Sequence, residues 1–358
     1  MSRRSVLIAG GTAALAAGGA LMMSRRADYA AATAALWSHR DPAEFTGLVR
    51  YATLAANSHN AQAWRFRQTS EGVAILPDMA RALPVADSDH HHLYASLGCA
   101  AENLMLAAGA AGRAPAMEFA TDGDERIEIA FGQSGSRDSL FNAILERQCT
   151  RSDYNGHPVP RADLSALEVG ARVSGCQVVP IEDRAKIEQV LELILAANTA
   201  QVSDPAFAAE LRSWLRFNAR AAIETGDGLY SGCSGNPSLP TFLGRIMFDA
   251  LFKPDAENDR YARQVRSSSG LAVIVSERDD PAHWVQAGRS YQRFALQATA
   301  LGIRHAHLNQ PVEVPSFRRE LQSLLGLGSR RPDLVLRFGY AQPMPRSLRR
   351  PVRSVIAT

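Results

Sequence analysis

Cysteine is scarce in this 358-residue chain. Cys99, Cys149, Cys176 and Cys233 are scattered, and no CxxC pair occurs among them. Neither a zinc cluster nor a disulfide framework is indicated, although a single bridge stays open for an exported protein. Net charge is small, at +3, and no basic-aromatic recognition module interrupts the sequence, so nucleic acid is not an expected partner. No G-x-G-x-x-G turn marks a dinucleotide site, and no G-x-S-x-G elbow marks a serine nucleophile. What remains is an ordinary globular composition: 46% hydrophobic and 21% charged residues, enough for a full core in one large or two ordinary domains.

Residues 1–23 stand apart. Arg3 and Arg4 precede a mildly apolar Ala/Gly-rich run from Val6 to Met23. SRRSVL resembles the S-R-R-x-F-L-K signal of twin-arginine export, which implies the export machinery as a partner and a periplasmic or other extracytoplasmic location. Residues 1–35 are expected to be this signal, with cleavage near Ala30–Ala35. The alternative is an uncleaved membrane anchor, because the run is near the minimum spanning length of roughly 17 residues.

From Asp41 the pattern is that of a folded domain. Phe45, Leu48, Val49, Ala52 and Ala56 recur at helical spacing, and Asn57, Ser58 and Asn60 end that helix. AQAWRFRQ and GVAILPD read as a hairpin around Glu71-Gly72. His90, His91 and His92 cannot all converge on one metal and read as a solvated helix entry. The Ala- and Gly-rich helix that follows suits close packing against another helix; Ser96, Cys99 and Asn103 lie on it. AMEFATD and RIEIAFG are strands, and a first half closes near Gly135.

The second half opens on a predicted helix, DSLFNAILERQCTRSDY. Arg147 and Arg151 lie four apart, so a helix puts both guanidiniums on one face, and two planar forks suit a phosphate. By spacing alone a solvated helix end is the better reading, since exposed charges are the default. Residues 225–242, rich in Gly, Ser and Pro, read as a loop long enough to be either functional or disordered, and helix resumes from Phe242 to Phe252. LAVIVSE and PDLVLRFGYA are strands, and WVQAGRSYQRFALQATALGI is a small-residue helix that echoes the one in the first half.

Two segments carry a family resemblance. RQCTRSDYNGHPVP resembles the arginine motif with which nitroreductase-type flavoproteins hold the FMN phosphate, with Gln148 and Cys149 as departures. AANSHNAQAWRF resembles the A-P-S-S-x-N-x-Q-P-W-x-F loop that lies along the flavin in that family, with Ala56 and Ala63 in place of the prolines. The arrangement, together with TALGIRHAHLNQPVEV, RFGYA and RSLRRPV, resembles the single-chain Acg family of the nitroreductase superfamily, over roughly residues 45–356. The resemblance implies an α+β fold of two tandem half-repeats, 41–135 and 136–358, forming an intrachain pseudo-dimer around a central mixed sheet, with a lid near 225–252. It implies one FMN per monomeric chain. Arg147 and Arg151 would hold the phosphate, with Arg349 or Arg350 as a third cation. Asn57, Ser58, Asn60 and Gln62 would contact the ribityl chain and ring edge, and His307, Leu308 and Asn309 would pass the N5 side and offer a backbone N–H. No side chain is expected to be a catalytic acid or base. The implied activity is electron transfer through FMN, with NAD(P)H as candidate donor, to a nitroaromatic, quinone or other small flat aromatic substrate. The alternative is an FMN-sequestering protein whose lid excludes substrates.

Overall fold

The computed structural model describes residues 27–357; the N-terminal apolar run lies outside them. After α1 (27–36) and α2 (Phe45–Thr53) come β1 (Trp64–Gln68), β2 (Gly72–Pro77), α3 (His91–Ala110), β3 (Ala114–Ala120) and β4 (Arg126–Gly132). The second half supplies α4 (Arg161–Gly170), β5 (Cys176–Ile181), α5 (Arg184–Ser203), α6 (Pro205–Trp214), β6 (Leu215–Arg216), α7 (Ala219–Thr225) and β7 (Leu229–Tyr230). It continues through α8 (Thr241–Leu251), α9 (Pro254–Arg266), β8 (Gly270–Ser276), α10 (Pro281–Ala300), β9 (Arg304–His307), α11 (Gln310–Glu313), α12 (Pro315–Leu324) and β10 (Arg331–Gly339).

The two halves repeat one topology. The first sheet has strand order β1-β2-β4-β3 and the second β5-β8-β10-β9. In each, the order in space is first, second, fourth, third, and a 20-residue helix joins the second strand to the third. The second copy carries α5 to α9 between its first two strands. The expected single mixed sheet is corrected: these are two separate sheets, and every ladder in both is antiparallel. The helix carries the chain to the far edge, so the next hairpin or return strand inserts antiparallel to its neighbour. The parallel pairing among the described residues is confined to the two-residue β6–β7 ladder and to isolated bridges.

Helices α3 and α10 cross at the centre, and their small residues explain how closely. A Cβ on Gly98 would sit 2.0 Å from the carbonyl oxygen of Val285, and one on Gly288 would sit 1.9 Å from that of Ala95. Around this crossing, Asn103 accepts from Gln292 Nε2 at 2.7 Å, and buried Glu102 pairs with both Arg289 and Arg293. A hydrophobic core running from Trp37 to Val355 spans both halves; a second core packs α5 against β8 and β10.

The halves also exchange edges. The Phe66 N–H donates to Val355 and the Ala357 N–H donates back to Phe66, both at 2.8 Å, so the C-terminal segment extends the first sheet beside β1. Conversely, the Thr150 N–H donates to His305 at 2.9 Å, extending the second sheet beside β9. That pairing overturns the predicted helix over Arg147–Arg151. A 3-10 helix capped by Asp138 stops at Leu145, and the chain then runs extended along the sheet edge.

Candidate functional site

A cavity of about 470 Å³ opens between the crossing helices and the α5–α9 layer. That is within the size range of small-molecule and cofactor sites. Asn57, Ser58 and His59 reach it from the loop after α2, and His92, Ser96 and Cys99 from α3. Arg151, Tyr291, His307, Asn309 and Glu313 complete the polar side, while Phe217, Met247, Phe248 and Phe252 form an apolar wall from the 217–252 region.

The loop is strained. His59, Asn60 and Gln62 have φ of 48°, 54° and 55°, a conformation that costs non-glycine residues of order 1–3 kcal/mol each. Side chains hold it there. Asn57 Oδ1 accepts from the Gln62 N–H at 2.8 Å. Asn60 Nδ2 donates to Gly228 and Leu348, each at 3.1 Å. Gln62 Nε2 donates to Gly226 at 2.9 Å, and its Oε1 accepts from the Arg350 N–H at 2.9 Å. Asn60 and Gln62 are therefore buried struts outside the cavity lining, whereas Asn57 and Ser58 front the cavity.

Three arginines stand near the same end. Arg151 lines the cavity, and its guanidinium has no hydrogen-bond or ion-pair partner among the described residues. Arg147 is buried; it donates to the Leu54 carbonyl at 3.0 Å, and its Nε has no partner among the described residues. Arg349, expected as a third cation, is buried and donates to the carbonyls of Thr53 (2.7 Å), Ala55 (3.0 Å) and Leu348 (3.0 Å) and to Asn60 Oδ1 (3.0 Å). It thereby satisfies carbonyls left unpaired where α2 ends. Burial, then the neighbouring Arg147 charge, draws Arg349 down to about 9. Arg350, the other tail candidate, lies in reach of Asp78 at 3.8 Å. No carboxylate among the described residues pairs with Arg147, Arg151 or Arg349. Cations that are buried without a counterion cost free energy, so this end of the cavity fits an anion such as the FMN phosphate.

Histidine was underestimated. The expectation of a solvated His90–His92 entry is corrected: His91 and His92 are buried. His91 Nε2 lies 2.9 Å from Asp333 Oδ1, while His92 faces the cavity with Nε2 3.4 Å from Glu313 Oε1. Burial opposes the charge on His92, but Glu313, Asp87 and Asp89 outweigh it and raise its pKa. His59 is drawn down by burial, and its Nδ1 has no partner; nor has Nδ1 of His307. The missed signal was a polar triplet opening a helix that is buried almost throughout. Beside His307, the Leu308 N–H donates to Val335 at 2.8 Å, and Asn309 Oδ1 accepts from the Val335 N–H at 3.0 Å. The Leu308 amide is thus engaged in the protein, while His307 and Asn309 reach the cavity. Asn103 packs in the helix crossing, donating to Tyr51 at 3.0 Å. All four cysteines are free; Cys149 Sγ lies 3.6 Å from the Tyr291 hydroxyl. No cluster of three or more metal-ligating side chains occurs among the described residues.

Fold and cavity together define an α+β protein with an internal repeat and an anion-compatible, partly apolar cavity. No family model matches the chain. It is 25% identical over 337 residues to proteins from two strains of Mycobacterium tuberculosis that are provisionally named NAD(P)H nitroreductases, covering 90% of this chain and 94% of each relative. The chain is thus a homologue of these proteins. Similar solved structures include a nitroreductase with bound FMN from Bacteroides fragilis (16% identical, 57% of this chain and 90% of that one, TM-score 0.36). A second is the FMN-dependent nitroreductase NfnB from Mycobacterium smegmatis in complex with NADPH (14% identical, 56% and 86%, TM-score 0.35).

Proposed function

We propose that this protein is an FMN-binding oxidoreductase of nitroreductase type, folded as a nitroreductase-like, Acg-like pseudo-dimer with one flavin between its halves. The observation that carries this reading is Arg151, a cation without a counterion at the edge of a 470 Å³ cavity, with Arg147 buried nearby and its Nε unpartnered. Arg151 and Arg147 hold the phosphate, and Arg349 braces the loop that meets it. Asn57, Ser58, His307 and Asn309 line the ring and ribityl chain. When bound, FMN supplies acceptance and release of electrons, the chemistry that no side chain here provides. The donor is NAD(P)H, by analogy with the relatives' name, and the acceptor is a small flat aromatic such as a nitroaromatic or quinone. His92, whose pKa Glu313 helps to raise against burial, faces the cavity on the same side.

The second reading, a protein that sequesters FMN, is supported by the apolar wall that α8 adds over the cavity. In either reading the chain is exported folded by the twin-arginine machinery to an extracytoplasmic location. Tyr29 is buried against Tyr230 and Cys233, so a cut at Ala30–Ala35 removes a packed side chain, which favours a cut further upstream or a retained anchor.

The test is the absorbance spectrum of protein purified with residues 1–26 intact, with released flavin quantified against protein. One flavin per chain, bleached by NADPH, is expected. Bound flavin that NADPH leaves unbleached selects sequestration, and colourless protein that does not take up FMN overturns both readings. Changing Arg3 and Arg4 to lysine is expected to retain the precursor in the cytoplasm; unaltered export refutes the twin-arginine route.

A further inference from the structure

Helix α8 presents its apolar side outward. Phe242, Ile246 and Leu251 are 70%, 61% and 61% exposed, and Leu243 and Met247 are also exposed. With Ala250 these residues recur at three- and four-residue spacings and form one broad face, while Thr241, Arg245 and Asp249 make a narrower polar stripe. The helix touches the body chiefly through buried Gly244, where a Cβ would come 2.4 Å from the Phe217 ring. A contiguous apolar face of this kind marks an interaction site.

Two observations say what covers it. The first is where the chain enters the fold. α1 packs through Tyr29 onto Ala219 and Ala222 of α7 and onto Tyr230 and Cys233. The start of α8 hangs from the same α7: Asn218, which caps α7, donates to Leu239 at 3.0 Å and to Thr241 at 3.2 Å. α7 is therefore a common mount for α8 and for the chain arriving from residues 1–26. That arriving sequence is an uncharged apolar run, Val6–Met23, followed by Arg25 and Arg26. The second is charge. Asp249, the one acidic residue of α8, is neutralised by Arg212 at 2.6 Å, leaving Arg245 and Lys253 as the uncompensated charges of the helix and its end. Apolar residues flanked by basic ones suit an anionic bilayer interface. A second copy fits less well, since a helix of 11 residues spans only about 16 Å, short of the roughly 800 Å² per partner of a stable dimer.

We propose that α8 lies in the surface of a lipid bilayer. Its Met247, Phe248 and Leu251 line the cavity as well, so docking brings the cavity mouth to the lipid. The proposal does not depend on the flavin.

The test uses the full chain with Phe242→Trp, reconstituted in anionic vesicles made with or without brominated acyl chains. Val169→Trp, at a 56% exposed position on α4, is the control. Bromine is expected to quench the added signal of Phe242→Trp roughly twofold, as suits a helix face about 5–10 Å into the headgroup and acyl boundary, and to leave that of Val169→Trp unchanged. Quenching no greater than in the parent chain overturns the proposal. So does hydrogen exchange at α8 in the parent chain that anionic vesicles leave unchanged, whether the cover is a dimer or the chain's own residues 6–23. Exchange slowed at α8 only when vesicles are added supports it without any substitution.

Discussion

Gly98 and Gly288 are each the eighth residue of a 20-residue helix, and each receives a backbone carbonyl from the other helix. This reciprocity joins the halves, because neither notch tolerates a side chain. Gly98→Ala or Gly288→Ala should lower stability by about 3 kcal/mol or more, since overpacking against backbone typically costs 1–3 kcal/mol and relief here requires moving a whole helix. Urea unfolding checks it; a change under 1 kcal/mol would mean that the crossing is looser than its geometry.

Arg151 and Arg349 should fail differently. Arg151→Ala removes an unpartnered guanidinium from the cavity, so flavin-free stability should hold while FMN affinity falls at least roughly tenfold, one charge-assisted hydrogen bond being worth about 1.5–3 kcal/mol. Arg349→Ala strips the donors from the end of α2 and should cost at least about 3 kcal/mol of folding stability. Thermal unfolding without flavin, paired with a flavin titration, separates the two. Arg349 was expected as a third cation; its buried bonds to Thr53 and Ala55 add a structural role to that expectation.

Asp333 gives the fold a pH dependence. Burial pushes its carboxyl up to about 7. The folded protein keeps a proton that the unfolded chain releases near pH 4, so this contribution is full below pH 4 and is lost as pH rises to 7. His91, its partner, is shifted the opposite way by burial and by the His92 charge. Asp333→Asn should flatten the decline between pH 4 and 7 in urea titrations at successive pH values. An unchanged slope would place the proton elsewhere.

Cys149 should be the first thiol alkylated. Burial works against its ionisation, but the neighbouring His305 and His307 prevail and hold it well below the usual thiol range. Burial pushes Cys99, Cys176 and Cys233 up. Peptide mapping after brief iodoacetamide treatment near pH 7 should find Cys149 modified ahead of the others, and His305→Ala should raise its pH midpoint by roughly one unit. Equal labelling of all four would refute this.

The local fold was largely legible. Alternation marked the β1–β2 hairpin, the continuous apolar run LAVIVSE marked β8, and small residues marked α3 and α10. Pairing was not, because a strand's sequence shows which face is buried but not its neighbour, so two antiparallel sheets were read as one mixed sheet. Arg147 and Arg151 were read as helical because charges at i and i+4 suit a helix; the bond from Thr150 to His305 that draws them out spans 155 positions, beyond any local pattern. Asn60 and Gln62 were recognised as special, but nothing local told a strut from a ligand contact: their partners are backbone groups of Gly226, Gly228, Leu348 and Arg350 and the Arg349 guanidinium.

Those distant partners also set a timetable. Gln62 Oε1 is satisfied by the Arg350 amide, 288 positions later, and β1 gains its edge neighbour only from residues 355–357. At about 5–20 residues per second of synthesis, the strained loop waits roughly 15 to 60 seconds on the ribosome before its braces exist. Through that interval the first half is a nascent chain without a finished loop, so a flavin that needs the loop can be captured only after translation has passed residue 350.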